Sequence, residues 1–183
     1  MSGSEEGMRP PDAVLEGFGC PVRPFLIDGG QGATWRAGAL VLKPAEDGEG
    51  RVHAEWIADL FAGLKAEGFR VPRPVRSRVG GWIEQGWVAW TFLDGREEAT
   101  PARWAERLSA LSSFHRALVG VPRPGWMNTH HDPWSIADRV AWGEEAPRDI
   151  HPSVRELVAR LTSLRQPIDL PSQVIHGDIG GGN

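Results

Sequence analysis

The spacing of apolar residues changes along the chain, and the change predicts strands first and helices afterwards. Between residues 25 and 44, short apolar runs alternate with glycine turns, which is typical of two or three short strands. From Arg51 onward, apolar residues recur at four-residue steps, so we predict a helix that ends at Gly68. Residues 71–95 return to strand patterns on both sides of a Gly-Gly turn. The first half of the chain is therefore expected to be a sheet with one helix.

The pattern becomes helical after a Leu-Asp-Gly break at residues 93–95. Thr100 and Pro101 are residue types that favour the N-cap and the first position of a helix, and the apolar positions that follow share one face. Two more helices are predicted, a short one around Ser135–Trp142 and a longer one over residues 152–166. We therefore predict an α+β fold of two lobes, in which a β-rich lobe with one helix precedes a helical lobe.

These patterns divide the chain into three segments. Residues 1–20 are rich in Gly, Glu and Pro, and we expect them to form a flexible N-terminus. Residues 21–94 would form the first lobe, which ends in a hinge. Residues 95–183 would form the helical lobe, which ends in a glycine-rich loop.

Composition and charge exclude several classes of protein. The 183 residues are 40% hydrophobic and 24% charged, which indicates a globular protein and not a disordered one. No apolar run approaches the roughly 18 residues that cross a membrane, and the N-terminus lacks the pattern of a signal peptide. The single cysteine excludes an internal disulfide, so we expect a cytoplasmic protein without membrane contact. The net charge of −4 does not favour nucleic acid as a partner, and the locally basic segment 70–78 is interpreted as a solvated turn.

The segment with the clearest chemistry is the last ten residues, "VIHGDIGGGN". A short apolar strand leads to Asp178, and Asn183 follows five residues later. A carboxylate at a strand end can take a proton from a substrate hydroxyl, and an amide oxygen near it can hold a divalent metal ion, which is the division of roles in phosphoryl-transfer loops. The intervening glycines allow the backbone to turn so that both side chains face one site. A surface carboxylate in a glycine-rich turn is the alternative.

A kinase-like site requires four further parts, and the chain contains candidates for them in the right order. The glycine-rich segment with Gly29, Gly30 and Gly32 lies between predicted strands and is the candidate phosphate loop. Lys43 ends the next strand, and it is one of two lysines in a chain with eighteen arginines, which favours a specific need for an ammonium group. Glu55 lies on the following helix, where its carboxylate can pair with Lys43. Taken singly, these parts also fit an ordinary hairpin turn, a solvated lysine and a helix-surface glutamate.

The fourth part is a hinge. The predicted strand that ends in Thr91, Phe92 and Leu93 runs into a glycine break. Exposed backbone groups at such a strand end could hydrogen-bond the edge of an adenine ring.

These segments together resemble the aminoglycoside phosphotransferase-like kinases. The terminal "HGDIGGGN" is similar to that family's catalytic loop, which usually reads His-Gly-Asp-Leu-His-Pro-Gly-Asn. The segments "GGQGATWR", "VLK", "HAEWIADLF" and "WTFLDG" resemble its glycine loop, strand lysine, helix glutamate and hinge, and "RLSALSSFHRAL" resembles its long helix. The resemblance covers about residues 24–183.

The resemblance implies a protein-kinase-like fold and an ATP- or GTP-dependent phosphotransferase that uses Mg²⁺ and acts on a hydroxyl group of a small-molecule acceptor. It implies that Asp178 is the catalytic base and that Asn183 is a metal ligand. It also implies that Lys43 contacts the α- and β-phosphates and that Glu55 holds Lys43. The nucleotide-binding residues would be Gly29, Gly30, Gly32, Lys43, Glu55, Thr91, Phe92 and Leu93.

The sequence departs from the family pattern in two places. Gly180 and Gly181 replace the usual His-Pro, which makes the loop more flexible. The family's second metal-binding Asp follows the Asn, whereas this sequence ends at Asn183, so we expect an incomplete helical lobe and a chain truncated after the catalytic loop. Two alternatives stay open: a degenerate kinase-like module that binds nucleotide or protein without catalysis, and an unrelated α+β domain.

Overall fold

The computed structural model of the chain describes residues 9–27, 34–45, 48–95, 100–129, 131, 133–146, 151–164, 166 and 173–176. The chain divides into two compact units, of which the first is Met1–Gly120 with Val174–Asn183 and the second is Val121–Gln173. The first unit contains, in chain order, α1 (Asp12–Gly17), β1 (Phe25–Leu26), β2 (Trp35–Ala37), β3 (Leu40–Pro44), α2 (Glu49–Gly63), β4 (Pro74–Val75), β5 (Ile83–Glu84), β6 (Trp87–Thr91) and α3 (Pro101–Ala117). The second contains a short 3-10 helix (Gly125–Asn128), α4 (Pro133–Trp142) and α5 (Pro152–Ser163).

The described strands form one antiparallel sheet. The strand order is β1-β2-β3-β6-β4, and β5 also pairs with β6. Six strands and five α-helices within the described residues confirm the predicted α+β class. At the centre of the sheet, Leu42 of β3 lies opposite Ala89 of β6, and Lys43 lies opposite Val88. The strand that carries the predicted lysine is therefore the direct neighbour of the strand that leads into the predicted hinge.

The main core lies on the face of the sheet that α1 covers. Leu42 and Ala89 point to this face and are 0% and 1% exposed. Val14 and Leu15 of α1 pack against them and are 0% and 3% exposed. Alternation along each strand sends the neighbouring side chains, those of Lys43 and Val88, to the opposite face.

The N-terminal segment contributes a helix to the core. Within the described residues 9–20, the apolar side chains of α1 complete the core, and the flexibility predicted for residues 1–20 stays a prediction. The thiol of Cys20 donates to the carbonyl of Ala37 at 3.2 Å and connects the end of this segment to β2. Residues 1–8 lie outside the described part of the chain.

The helix α2 packs on the opposite face of the sheet. Its Ala58 is 1% exposed, and the ring of Phe61 meets the ring of Trp90 edge-on, with 5.8 Å between the centroids. Trp90 follows Ala89 in β6, so its side chain points away from the core on the α1 side. The helix ends at Gly63, before the predicted end at Gly68, since the chain becomes extended at the residue that follows.

A tight hairpin joins β5 to β6. Its two central residues, Gln85 and Gly86, have φ values of 46° and 77°. A type I′ turn requires positive φ at both central positions, and its twist matches that of the flanking strands. Glycine adopts this conformation without strain, whereas Gln85 does so at an energetic cost.

The helix α3 begins as predicted. The hydroxyl of Thr100 accepts the N–H of Arg103 at 3.4 Å, as expected of an N-cap. Near the other end, the ring of Phe114 lies 6.1 Å from that of Phe61 and 5.4 Å from that of Phe69. These contacts hold α3 in the first unit, and the lobe boundary predicted between residues 94 and 95 stays a prediction.

The second unit contains the helices α4 and α5, which contact each other. Trp134 of α4 is 78% exposed, and Leu157 and Leu161 of α5 are 54% and 57% exposed. The helix α4 begins two residues before the predicted start at Ser135, and α5 ends at Ser163, close to the predicted end. None of the described helices has the combination of length and apolar character that crossing a bilayer requires.

Candidate functional site

Lys43 lies in the centre of the sheet, on the face that carries α2. Its partner across β3 and β6 is Val88, and Thr91 lies three residues further along β6, about 10 Å away at the rise of a β-strand. Leu42 points into the core on the α1 side, so the next side chain, that of Lys43, points to the α2 side and is exposed. An exposed ammonium group beside the hinge strand is suited to binding a phosphate group.

Glu55 lies on the side of α2 that faces the sheet, because it precedes the buried Ala58 by three residues. Its carboxylate accepts a hydrogen bond from Nε of Arg51 at 3.2 Å. No ion pair joins Lys43 and Glu55 among the described residues, so the predicted pairing stays a prediction. The side chains of Arg51 and Glu55 are 56% and 44% exposed, and such a surface pair contributes only about 0.3–0.5 kcal/mol. Glu55 can therefore exchange Arg51 for another cation at little cost.

The predicted hinge follows β6 directly, and most of its backbone N–H groups have partners. The N–H of Thr91 donates to the carbonyl of Arg73, and that of Phe92 donates to the carbonyl of Ala39, each at 2.8 Å. Leu93 takes part in no backbone hydrogen bond between described residues. The N–H and C=O of Leu93 are therefore the hinge groups best placed to meet a ligand.

The segment before the predicted catalytic loop is held against α3, but its described residues 173–176 are irregular and do not form the strand that the sequence predicts. Val174 is 9% exposed, and the backbone N–H of His176 donates to Nε2 of His115 at 3.1 Å. The ring of His176 also meets that of Phe114 edge-on, with 6.3 Å between the centroids. These two contacts fix His176, which lies two residues before Asp178.

A row of aromatic side chains connects the hinge strand to this segment. Trp90 contacts Phe61 at 5.8 Å, Phe61 contacts Phe114 at 6.1 Å, and Phe114 contacts His176 at 6.3 Å, measured between ring centroids. We refer to these four residues as the aromatic row. It brings β6, α2, α3 and the start of the predicted catalytic loop into one packed unit.

Five of the predicted site residues lie outside the described residues, namely Gly29, Gly30, Gly32, Asp178 and Asn183. Their roles stay predictions. Within the described part of the chain, no group of three or more His, Cys, Asp or Glu side chains could hold a metal ion. The predicted metal ligand, the amide oxygen of Asn183, is a hard oxygen donor of the kind that Mg²⁺ prefers, so its chemistry fits that ion.

The basic segment 70–78 has a role that the sequence analysis missed. The guanidinium of Arg70 donates to the carbonyl of Asp94 at 3.3 Å, and that of Arg76 donates to the carbonyl of Gly80 at 2.7 Å. These arginines therefore bind backbone carbonyls of the first unit. The alternation of Pro and Arg in this segment could have indicated this role. Proline restricts the backbone on both sides of an intervening arginine, which favours a fixed position over a solvated turn.

Comparison with known proteins identifies a family. The family model described as the phosphotransferase enzyme family matches residues 26–183, which begin within β1 and include every predicted site residue. A search of curated proteins finds no match.

Proposed function

The chain belongs to the phosphotransferase enzyme family, and on this premise we propose that it transfers the γ-phosphoryl group of ATP or GTP to a hydroxyl group of a small molecule. Membership implies a kinase-like fold, and enzymes of the family generally use ATP and Mg²⁺. The observation that carries the proposal is the pairing of β3 with β6, which sets Lys43 beside the strand that leads into the hinge, on the face that α2 covers. The proposed partners are the nucleotide and a small-molecule acceptor, and the proposed location is the cytoplasm.

The proposed nucleotide site extends from the hinge to Lys43. The base would meet the backbone of Leu93, and the phosphates would extend along β3 toward the ammonium group. The hinge begins at Thr91, about 10 Å along the strand from the position of Lys43, and this separation suits a ligand whose base and phosphates are recognised at opposite ends. Glu55, on the helix above the same face, would orient Lys43.

In the proposed reaction, Asp178 takes the proton of the acceptor hydroxyl while the hydroxyl oxygen forms a bond to the γ-phosphorus. The bond between the γ-phosphorus and the bridging oxygen breaks, and the nucleoside diphosphate leaves with that electron pair. Lys43 offsets charge on the α- and β-phosphates, and Asn183 would hold Mg²⁺. When bound, Mg²⁺ supplies positive charge that stabilises the charge developing on the phosphates.

The two lysines of the chain provide a matched test. Lys43→Met removes the ammonium group on β3, and Lys65→Met removes the exposed one that follows α2. Transfer from radiolabelled Mg·ATP to a panel of alcohols, sugars and aminoglycosides gives kcat and KM, and calorimetry gives the Kd for ATP. We expect Lys43→Met to lower kcat/KM for ATP about 100-fold, and Lys65→Met to leave it within about twofold. Equal activities of the two variants would refute the role of Lys43.

The base is tested with a second pair. Asp178→Asn should abolish transfer and leave the Kd for ATP unchanged, whereas Asp138→Asn on the exposed surface of α4 should change neither. Transfer that persists in Asp178→Asn would mean that another group takes the proton.

A second candidate function is nucleotide binding without transfer. It is favoured by the pairing of Glu55 with Arg51, since no ion pair joins Glu55 to Lys43 in the part of the chain that the structure describes. The glycines at positions 180 and 181 favour it as well, because a more flexible loop holds the base less firmly. Binding of Mg·ATP with no transfer to any acceptor would support this function over the first.

A further inference from the structure

Arg73 binds the end of the helix that carries Glu55. Its Nη1 donates to the carbonyl of Phe61 at 2.6 Å and to the carbonyl of Leu64 at 2.8 Å. The last carbonyls of an α-helix have no partner within the helix, and a cation at that end also interacts favourably with the helix dipole. A single side chain from outside the helix therefore caps the C-terminus of α2.

The backbone of the same residue binds the hinge. The N–H of Arg73 donates to Oγ1 of Thr91, and the N–H of Thr91 donates to the carbonyl of Arg73, both at 2.8 Å. Pro72 and Pro74 flank Arg73 and restrict the backbone on either side. The arginine is thus fixed to the first hinge residue by its backbone and to α2 by its side chain.

This arrangement links two parts of the proposed nucleotide site. Glu55 precedes Phe61 by six residues, or about 9 Å along the helix, and a helix segment of this length moves as a rigid body. A displacement of the hinge backbone would therefore be transmitted through Arg73 to the helix that carries Glu55. We propose that Arg73 is a positioning residue that couples the hinge to α2 and so sets the approach of Glu55 to Lys43. Its catalytic consequence depends on the proposed phosphotransferase function.

The helix has other attachments, so loss of the Arg73 side chain should not detach it. Nε1 of Trp82 donates to Oδ1 of Asp59 at 2.6 Å, and the ring of Phe61 packs on Trp90. Arg73→Met, which keeps the aliphatic stem and removes the donors, is therefore expected to fold. Arg73→Lys should restore much of the function, since one nitrogen makes both bonds to α2 and an ammonium group can do the same.

Arg76→Met is the matched control. Arg76 belongs to the same basic segment, and its guanidinium donates to the carbonyl of Gly80 and stacks on Trp82; among the described residues no hydrogen bond joins its side chain to α2 or to the hinge. We expect Arg73→Met to lower kcat about tenfold, with KM for ATP less affected, and Arg76→Met to change both by less than about twofold. In a Glu55→Gln background the effect of Arg73→Met should shrink to within about twofold, because the two residues act on one step. A full tenfold loss in that background, or an equal loss in Arg76→Met, would overturn the proposal.

Amide hydrogen exchange tests the coupling without any transfer reaction. In the nucleotide-free chain, Arg73→Met should speed exchange in the last turn of α2 about tenfold relative to Arg76→Met. Mg·ATP should slow exchange at both the hinge and this turn in the unmodified chain, and at the hinge alone in Arg73→Met. If the unmodified chain neither binds ATP nor transfers phosphate, the proposed function fails, and the nucleotide-free comparison still decides the coupling. Equal exchange rates in the last turn of α2 in Arg73→Met and Arg76→Met would overturn the proposed coupling.

Discussion

Among the described residues, Phe114 is the side chain at which most of the aromatic contacts of the first unit meet, so its replacement gives the sharpest test of the packing. Phe114→Leu keeps an apolar side chain and removes the ring. Apart from the contact with its chain neighbour His115, three ring contacts are lost: those to Phe61 at 6.1 Å, to Phe69 at 5.4 Å and to His176 at 6.3 Å. Each such pair contributes about 0.5–1.5 kcal/mol beyond the area that it buries.

The expected magnitude follows from the exposure of Phe114. The side chain is half-buried, so the lower value applies to each of the three pairs, and their sum is about 1.5 kcal/mol. Leucine retains most of the apolar area, so the area term adds little. We expect Phe114→Leu to lower the free energy of unfolding by about 1.5–2 kcal/mol.

Urea unfolding followed by circular dichroism and tryptophan fluorescence measures this loss. The matched control is Phe25→Leu on the edge strand β1, whose side chain is 54% exposed and whose replacement should cost less than about 0.5 kcal/mol. A double-mutant cycle with Phe61→Leu should give a coupling energy of about 0.5 kcal/mol or more. Equal losses in Phe114→Leu and Phe25→Leu, or a coupling energy near zero, would refute the reasoning.

Three further predictions concern the core, the hairpin and the loop before Asp178. Leu42→Ala should lower the free energy of unfolding by about 3 kcal/mol, because Leu42 is 0% exposed. A fall in melting temperature no larger than that caused by replacing an exposed leucine with alanine would contradict this. Gln85→Asn should raise the free energy of unfolding by about 0.5 kcal/mol, since Asn tolerates the positive φ of this turn better; an unchanged or lowered urea midpoint would be evidence against it. His115→Phe keeps a ring but removes the acceptor for the N–H of His176. We therefore expect kcat to fall about tenfold with the Kd for ATP unchanged. An equal loss of ATP affinity, measured by calorimetry, would argue for a general structural effect.

The sequence predicted the elements that local chemistry determines. Thr100 and Pro101 mark the start of α3 because capping depends on neighbouring residues, and the structure confirms that start. The strand that ends near Lys43 and the strand that ends in the hinge were also predicted, but their pairing was not, because register depends on residues distant in the chain.

The elements that the sequence did not predict depend on tertiary contacts. The helix α1 is six residues long between prolines and glycines, and its stability comes from packing on the sheet. The end of α2 is determined partly by Arg73, which reaches its carbonyls from another segment. Gly29, Gly30, Gly32, Asp178 and Asn183 lie outside the described residues, so the part of the site that performs the chemistry stays a prediction.

The thiol that connects the N-terminal segment to β2 makes this chain convenient for kinetic work. Cys20 is the single cysteine, it is only partly exposed, and its thiol donates to Ala37. A thiol reagent would therefore label one atom in the molecule, and it would do so mainly when this segment separates from the sheet. The labelling rate is then a direct record of how often the N-terminal segment opens, and its change on addition of nucleotide would show whether a ligand on the α2 face stabilises the packing on the α1 face.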